Sequence, residues 1–159
     1  MNIIWHGHSC FEITGKDGTI VFDPYQANSV PGLNSLKLKA NLVLCSHEHD
    51  DHNARNCVEV APKDFKVTCI ETYHDHHQGS HRGKNTIHIV DFEDLKVVHM
   101  GDIGCMMDDV SKLKNCDVLM IPIGGYYTID TKEALKYIER IQPRIVIPMH
   151  YCSHESVSY

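Results

Sequence analysis

Six consecutive residues carry only imidazole and carboxylate side chains, and this run constrains the chain more than any other feature; it reads His47-Glu48-His49-Asp50-Asp51-His52. An apolar stretch, residues 41–45, precedes it and predicts a buried strand. So many ionisable groups on one turn repel one another unless a cation offsets their charge. Imidazole and carboxylate together suit Zn²⁺, with Mn²⁺ or iron as alternatives. A solvated polar loop is the other interpretation, but the complete His-x-His-x-Asp-His spacing after a strand favours a metal site.

Three more candidate ligands follow apolar stretches in the same way: His74, Asp102 and His150. Residues that carry chemistry are often found just beyond the ends of strands, because a rigid sheet holds the loops there in place. We therefore expect these three side chains and the 47–52 run to meet at one edge of a sheet.

The coarse pattern is that of strands with interspersed helices, an α/β (α+β) fold class. Short apolar or alternating runs predict strands at about 2–5, 10–14, 19–23, 41–45, 66–71, 86–91, 95–100, 117–121 and 144–149. A capping-box pattern, Asp130-Thr131-Lys132-Glu133, predicts the start of a helix that Pro143 ends. Two further helices are predicted at about 108–115 and 53–62.

Composition narrows the class of protein. With 159 residues, 42% of them hydrophobic, the chain can bury one core, so we expect a single domain over 1–159. No stretch approaches a membrane-spanning length, and the N-terminus does not resemble a secretory signal, which predicts a cytoplasmic protein. The net charge of −6 makes nucleic acid an unfavourable partner. The seven cysteines, Cys152 included, have no metal-binding spacing and are predicted to be reduced thiols.

These motifs resemble the metallo-β-lactamase superfamily, whose defining signature is His-x-His-x-Asp-His. Further motifs occur in the order of that family: Gly7-His8, Phe22-Asp23-Pro24, His74-Asp75, Gly101-Asp102-Ile103-Gly104, Ile121-Pro122-Ile123-Gly124-Gly125 and Ile147-Pro148-Met149-His150-Tyr151. The set is most similar to the UlaG-like branch of small Zn-dependent hydrolases. The resemblance covers nearly the whole chain. It implies a compact single-domain version of the four-layer αβ/βα sandwich, with the metals at one edge of its two sheets.

The resemblance also implies two divalent metal ions per chain, with Zn²⁺ as the first choice. The ligand sets that it implies are His47, His49 and His74 for one ion and Asp51, His52 and His150 for the other, with Asp102 bridging both. Asp51 would in addition be catalytic, because it would orient the hydroxide between the ions and help to move its proton. Asp23 and His8 would support the ligands without binding an ion.

Two departures from the family pattern shape these expectations. Glu48 stands where the diiron relatives use a glutamate, but His49 occupies the position of their ligating glutamate, which favours the zinc-hydrolase interpretation. The sequence continues for only nine residues after His150. On that basis we expect that a partner copy in a homo-oligomer could close this side of the pocket.

The loop after His74 holds three more histidines, His76, His77 and His81, and any of them could replace His74 as a ligand. Its position nearest the strand end favours His74. Candidate substrate-binding residues are Asp75, Arg82, Lys84, Asn85 and Tyr126, since the two basic residues could hold a phosphate or carboxylate and the tyrosine could wall the pocket. A plain basic loop and ordinary packing are the alternatives.

The predicted function is hydrolysis of a small ester, lactone, amide or phosphodiester by a hydroxide that bridges the two ions. One alternative is a nuclease or cyclic-nucleotide phosphodiesterase of the same fold. Another, from a different class, is a non-enzymatic metal-binding or sensor protein. Storage would give variable metal stoichiometry and no turnover.

Overall fold

The computed structural model describes residues 1–151; Cys152 and the end of the predicted 1–159 domain lie outside them. Within this part there are eleven strands: β1 (Asn2–Gly7), β2 (Cys10–Gly15), β3 (Gly18–Phe22), β4 (Leu38–Ala40), β5 (Leu42–Leu44), β6 (Val58–Val60), β7 (Lys66–Tyr73), β8 (Lys84–Phe92), β9 (Leu95–His99), β10 (Val118–Pro122) and β11 (Ile145–Met149). The one α-helix of the described residues is α1 (Thr131–Ile141), and short 3₁₀ turns lie at Arg55–Cys57 and Ser111–Leu113.

The strands form two main sheets and one small one. The first sheet has the order β1-β2-β3-β5, the second has the order β11-β10-β9-β8-β7, and β4 pairs with β6 alone. In the first sheet β1 and β3 are antiparallel to β2, and β5 is parallel to β3. In the second, β7 and β9 are antiparallel to β8, and β10 is parallel to both β9 and β11. Strands β1, β3 and β5 therefore end at one edge of the first sheet, and β7, β9 and β11 end at one edge of the second.

The two sheets pack face to face through alternate residues of their strands. Phe11 and Phe22 of the first sheet belong to the same buried cluster as Phe92, Val97 and Met120 of the second. In each strand the side chains that alternate with these point to the outer face of the sheet, because successive side chains of a strand point to opposite faces. This inner layer is apolar, and it fixes the distance between the two sheet edges at which the strands end.

Helix α1 covers the outer face of the second sheet. Asp130 and Glu133 form the predicted capping box, with the Glu133 N–H donating to Asp130 Oδ1 at 2.8 Å and the Asp130 N–H donating to Glu133 Oε2 at 3.0 Å. The helix buries Ala134, Tyr137 and Ile141 against this sheet. It ends at Gln142, which is left-handed, directly before Pro143. The predicted helix is confirmed.

Loop and strand cover the outer face of the first sheet. Tyr25 and Val30, from the loop after β3, share a buried cluster with Val21 of β3, Ala40 of β4 and Val58 of β6. The two sheets and the covers on their outer faces confirm the predicted sandwich, although this outer layer contains no α-helix among residues 1–151. None of the helical segments in that range has the length and apolar character needed to cross a membrane.

Two predicted helices are wrong, and two strands were not predicted. The segment 53–62 forms only a 3₁₀ turn followed by β6, since the alternating Val58-Glu59-Val60 pairs with β4. In the segment 108–115 the carboxylate of Asp109 accepts hydrogen bonds from the N–H and Oγ of Ser111 at 2.7 and 3.0 Å. This local turn competes with helix formation, so only Ser111–Leu113 is helical, as a 3₁₀ turn. Strands β4 and β6 span three residues each, too few to show a period in the sequence.

Candidate metal centre

The predicted ligands come together where the ending edges of the two sheets meet. From the first sheet, His8 follows β1, Asp23 follows β3 and the 47–52 run follows β5. From the second, His74 follows β7, Asp102 follows β9 and His150 follows β11. Strands β1, β3 and β5 run in one direction within the first sheet, and β7, β9 and β11 do so within the second. The polar residues that follow these strands therefore lie at a single edge of each sheet.

Asp102 lies at the middle of this centre. It is 1% exposed, and its Oδ2 is 3.1 Å from His52 Nε2, 3.4 Å from His74 Nε2 and 3.0 Å from His150 Nε2. Burial alone would raise the pKa of this carboxyl, but His150 and His52 outweigh burial and hold the pKa well below its ordinary value. A single oxygen atom of Asp102 thus touches histidines from both predicted ligand sets.

Among the described residues the donor atoms fall into three groups, and one of them, His47, His52 and Asp102, takes a histidine from each predicted set. In another group His47, His49 and His74 each offer an atom within 4.8 Å of the others. The third group unites Asp51, His52 and His150 with His8 under the same limit. Ligand atoms that share an ion at about 2.1 Å from it lie roughly 3.0–3.4 Å apart, and the contacts of Asp102 Oδ2 have these lengths.

The protonation pattern of the imidazoles also fits a metal. Tyr127 O lies 3.0 Å from His74 Nδ1, and since a carbonyl only accepts, Nδ1 carries the proton and Nε2 keeps a free lone pair. The Nδ1 of His47 lies 2.9 Å from Ser46 Oγ, whereas its Nε2 is buried with no hydrogen-bond partner among the described residues. Burial lowers the pKa of His47 to about 3, which keeps the ring neutral. A neutral imidazole with one nitrogen oriented by the protein is the form that binds metal.

Asp23 holds the histidine run in place. Its Oδ1 accepts from the Ser46 N–H at 2.6 Å, and its Oδ2 accepts from Ser46 Oγ at 2.7 Å and lies 2.9 Å from His52 Nδ1. The residue is fully buried. Burial would lower the pKa of His52, but Asp102 and Asp23 on its two nitrogens raise it well above the ordinary value. The contacts agree with the supporting role expected of Asp23.

A glycine lets the loops of the two sheets touch behind the ligands. Gly101 has φ of +56°, and a Cβ atom there would lie 2.4 Å from both Ser46 Cβ and Asn85 Oδ1. Any side chain would therefore push the Asp102 loop away from the histidine run.

A cavity of about 390 Å³ opens above the donor groups. His49, Asp51 and Asp102 are among the residues at its floor, and its walls include Ser29-Val30-Pro31 on one side and Arg82 and Tyr127 on the other. The wall at 29–31 was not predicted. Its only sequence signal is a turn pair, Pro31-Gly32, in a long connection that offers no periodicity.

Arg82 is the one predicted substrate residue that lines this cavity. Its guanidinium lies over the ring of Tyr127, 4.8 Å from the ring centroid, and 5.7 Å from the centroid of Tyr126. Within residues 1–151 it has no carboxylate partner, unlike Arg55 and Arg144, which pair with Glu48 and Asp117. Tyr126 is 67% exposed and reaches the cavity only through this contact.

Asp75, another predicted substrate residue, is bonded to the backbone of its own loop. Its carboxylate accepts four backbone hydrogen bonds, from His77 and Gly79 at 2.7 and 3.0 Å and from His81 and Arg82 at 3.1 and 2.8 Å. Burial would raise its pKa, but these donors outweigh burial and lower the pKa to about 2. The carboxylate is thus occupied by its own loop, and it fixes the backbone that carries Arg82.

Asn85 and Lys84 are not among the residues that line the cavity. Asn85 is fully buried, and its amide donates to Thr72 Oγ1 and Met100 O while its oxygen accepts from the Asp102 N–H at 2.8 Å. Lys84 is exposed and binds Glu71 at 3.0 Å on the neighbouring strand. Neither side chain lines the cavity, because β8 directs Asn85 into the sheet and Lys84 out to solvent.

The structure also distinguishes between the alternative candidates for two ligand positions, those of His74 and His49. The donor groups found among residues 1–151 contain His74 but not His76, His77 or His81. Glu48 points outward to a two-pronged pair with Arg55 at 2.9 and 2.7 Å, while His49 joins the donors. At both positions the donor groups contain the histidine that the sequence analysis favoured.

Comparison with known proteins agrees with this arrangement. A family model described as a β-lactamase superfamily domain matches residues 2–150. A UPF0173 metal-dependent hydrolase of Thermoplasma acidophilum is 29% identical, over 95% of this chain and 83% of that protein. Another, of Staphylothermus marinus, is 31% identical, over 91% of this chain and 81% of that protein.

Among solved structures, a metallo-β-lactamase superfamily hydrolase of Thermotoga maritima superposes with a TM-score of 0.74 at 28% identity, covering 96% of this chain and 76% of that one. The relatives are described as enzymes, which favours catalysis over metal storage. Fold, donor groups and relatives agree that this chain is a metal-dependent hydrolase of the metallo-β-lactamase superfamily.

Proposed function

We propose that this chain hydrolyses a small anionic ester, lactone, amide or phosphodiester with the help of two divalent cations, Zn²⁺ in the first place. The observation that carries the proposal is the shared contact of Asp102 Oδ2 with His52, His74 and His150. A carboxylate oxygen between two groups of histidines is what a bridging ligand requires. The description of the Thermotoga maritima relative as Zn-dependent supports the choice of metal.

Within this proposal His47, His49 and His74 hold one cation, Asp51, His52 and His150 hold the other, and Asp102 lies between them. Bound in this way, the cations supply a nucleophilic water at neutral pH and stabilise the charge that develops on the scissile group. The protein holds their ligands in the required tautomers through Tyr127 O, Ser46 Oγ and Asp23.

Asp51 is the more exposed of the two carboxylates of the centre that line the cavity. Its side chain is 32% exposed, compared with 2% for Asp102, and its Oδ2 lies 3.2 Å from His8 Nε2. His8 and His52 hold the pKa of Asp51 well below its ordinary value against the opposing effect of burial. An ionised carboxylate at the cavity floor can accept a hydrogen bond from the attacking water and so orient it.

Arg82 and the cavity set the class of substrate. A volume of about 390 Å³ suits a small molecule. Arg82 is the basic side chain among the residues that line it, and it is available to pair with a carboxylate or phosphate of the substrate. The proposed substrate therefore places its scissile bond over the donor groups and an anionic group against Arg82 and Tyr127.

The test is metal analysis together with an activity screen. Zinc-loaded protein is assayed on esters, lactones, β-lactams and phosphodiesters, and elemental analysis is expected to give two ions per chain. Asp102→Asn is expected to fold, lose at least one ion and lose most turnover, whereas Asp108→Asn, at an exposed position, is the matched control. One ion or none in the wild type, or full metal and turnover in Asp102→Asn, would contradict the proposal.

A further inference from the structure

We infer that His8 is a direct ligand of the cation at Asp51, His52 and His150, and not merely a support for its ligands. The inference rests on the proposed two-cation function and deepens it. His8 is 4% exposed, lines the cavity and offers Nε2 to the same donor group as those three residues.

The position of His8 Nε2 differs from that of an orienting hydrogen-bond donor. It lies 3.2 Å from Asp51 Oδ2 and equally 3.2 Å from His52 Nε2. An imidazole N–H can be well aligned with only one of these two atoms. Separations of this size are those of atoms that share an ion at about 2.1 Å.

The backbone around His8 is fixed so that the ring points inward. His8 adopts a left-handed conformation with φ of 54°, which is uncommon for a residue with a side chain. Its carbonyl accepts from Trp5 Nε1 at 3.0 Å and from the His150 N–H at 3.3 Å. The second bond ties the loop after β1 to the loop after β11, from which His150 itself projects. Strain held in place by two hydrogen bonds is typical of a functional position.

With His8 included, the two donor groups become unequal. The group of His47, His49 and His74 has three imidazoles, whereas the group around His8 has three imidazoles and a carboxylate, before Asp102 is counted with either. A four-coordinate site suits Zn²⁺, while a five- or six-coordinate site also accommodates Mn²⁺ or Fe²⁺. The His8 group is therefore the one that accepts the higher coordination number.

The competing explanation is that His8 only donates a hydrogen bond to Asp51. His8→Gln separates the two, because a glutamine amide can still donate but is a poor ligand. His6→Gln is the matched control, since His6 lies on β1 two residues earlier and contacts Glu12 at 2.9 Å, outside the donor groups.

The experiment loads each protein with Co²⁺ and records titration calorimetry and the visible absorption spectrum. Wild type is expected to bind two ions, and His8→Gln is expected to bind one of them more than tenfold more weakly with an altered spectrum, while His6→Gln matches wild type. If His8→Gln binds two ions with unchanged affinity and spectrum, the role of His8 as a ligand is refuted but the proposed function is not. Fewer than two ions in the wild type would instead overturn the proposed function and this inference with it.

A second measurement does not depend on the variant folding. In crystals of the zinc-loaded wild type, anomalous scattering locates the ions. A distance of about 2.1 Å from His8 Nε2 to an ion supports ligation, and a distance beyond about 3 Å, outside the range of a zinc–nitrogen bond, refutes it.

Discussion

The side-chain oxygen of Asn85 accepts a hydrogen bond from the backbone N–H of Asp102 at 2.8 Å. Through this bond β8 fixes Asp102, which lies between the two groups of candidate metal ligands. Among the described residues, Asn85 itself does not contact any of the candidate metal-binding atoms. The other end of the amide is held by Thr72 and Met100, so the side chain is fully satisfied.

Asn85→Ala is expected to lower the free energy of unfolding by about 2–4 kcal/mol, because buried backbone groups of Asp102 and Met100 lose their partner. It is also expected to weaken metal binding, since Asp102 is no longer held. Chemical denaturation and calorimetry measure the two effects. Asn41→Ala is the control, because Asn41 also joins two backbone groups, Thr19 N–H and Ala61 O, but far from the centre. Equal loss of metal affinity in both variants would contradict a specific role for Asn85.

Removal of the cations is expected to lower the thermal stability of the protein. The donors come from both sheets, so a bound cation stabilises their packing, and the buried carboxylates lose their compensating charge when it leaves. For metal present at about a thousand times its dissociation constant, the loss is about 4 kcal/mol, or roughly 10 °C in Tm. A melting curve with and without chelator measures it, and added Zn²⁺ should restore the higher Tm. A chelated protein shown to be metal-free that melts at the same temperature would contradict the prediction.

Arg82→Gln is expected to raise KM for anionic substrates about tenfold to a hundredfold and to change kcat little, because a charged hydrogen bond contributes about 1.5–3 kcal/mol. Steady-state kinetics on a carboxylated substrate and on its neutral ester measure the difference, since the neutral compound should be unaffected. Lys84→Gln controls for the loss of a positive charge two residues further along the chain, at the first residue of β8, where the side chain is exposed and paired with Glu71. An equal effect on neutral and charged substrates would refute anion recognition.

Asp75→Asn is expected to loosen its loop, because a neutral amide replaces one carboxylate oxygen and can no longer accept from all four N–H groups. Trypsin should then cut after Arg82 faster than in the wild type, and KM for anionic substrates should rise while metal content is retained. Mass spectrometry of the digest and elemental analysis provide the readouts. Asp109→Asn is the control. The Asp109 carboxylate also accepts a hydrogen bond from a neighbouring backbone N–H, but it lies outside the cavity, so cleavage after Arg82 should stay as in the wild type. Loss of metal in Asp75→Asn would contradict a role limited to the loop.

The parts of this molecule that could be predicted from sequence are those with a local signal. The 47–52 run could be recognised from its composition, and α1 from its capping box and Pro143. His74, Asp102 and His150 could be found because each follows an apolar strand, and the topology then brings them together.

What could not be predicted depends on contacts distant in sequence. Asn85 looks like a loop residue of a basic segment, and only the register of β8 with its neighbours turns it towards Asp102. The wall formed by residues 29–31 lies in a connection without periodicity, placed over the centre by Tyr25 and Val30 in the outer cluster. Asp75 shows the same limit, since nothing in His74-Asp75 reveals that the carboxylate bonds to its own loop.

The closed set of bonds around Asp75 has a consequence for how such enzymes diversify. Since its carboxylate holds backbone N–H groups and no side chains, the shape of the loop does not depend on which residues stand at its outward positions. His76, His77, Ser80 and His81 are exposed and can be exchanged without disturbing the bonds that hold the loop or the metal ligands beneath it. Replacements at these outward positions can therefore change the surface of the loop that carries Arg82, while the metal ligands beneath it are inherited unchanged.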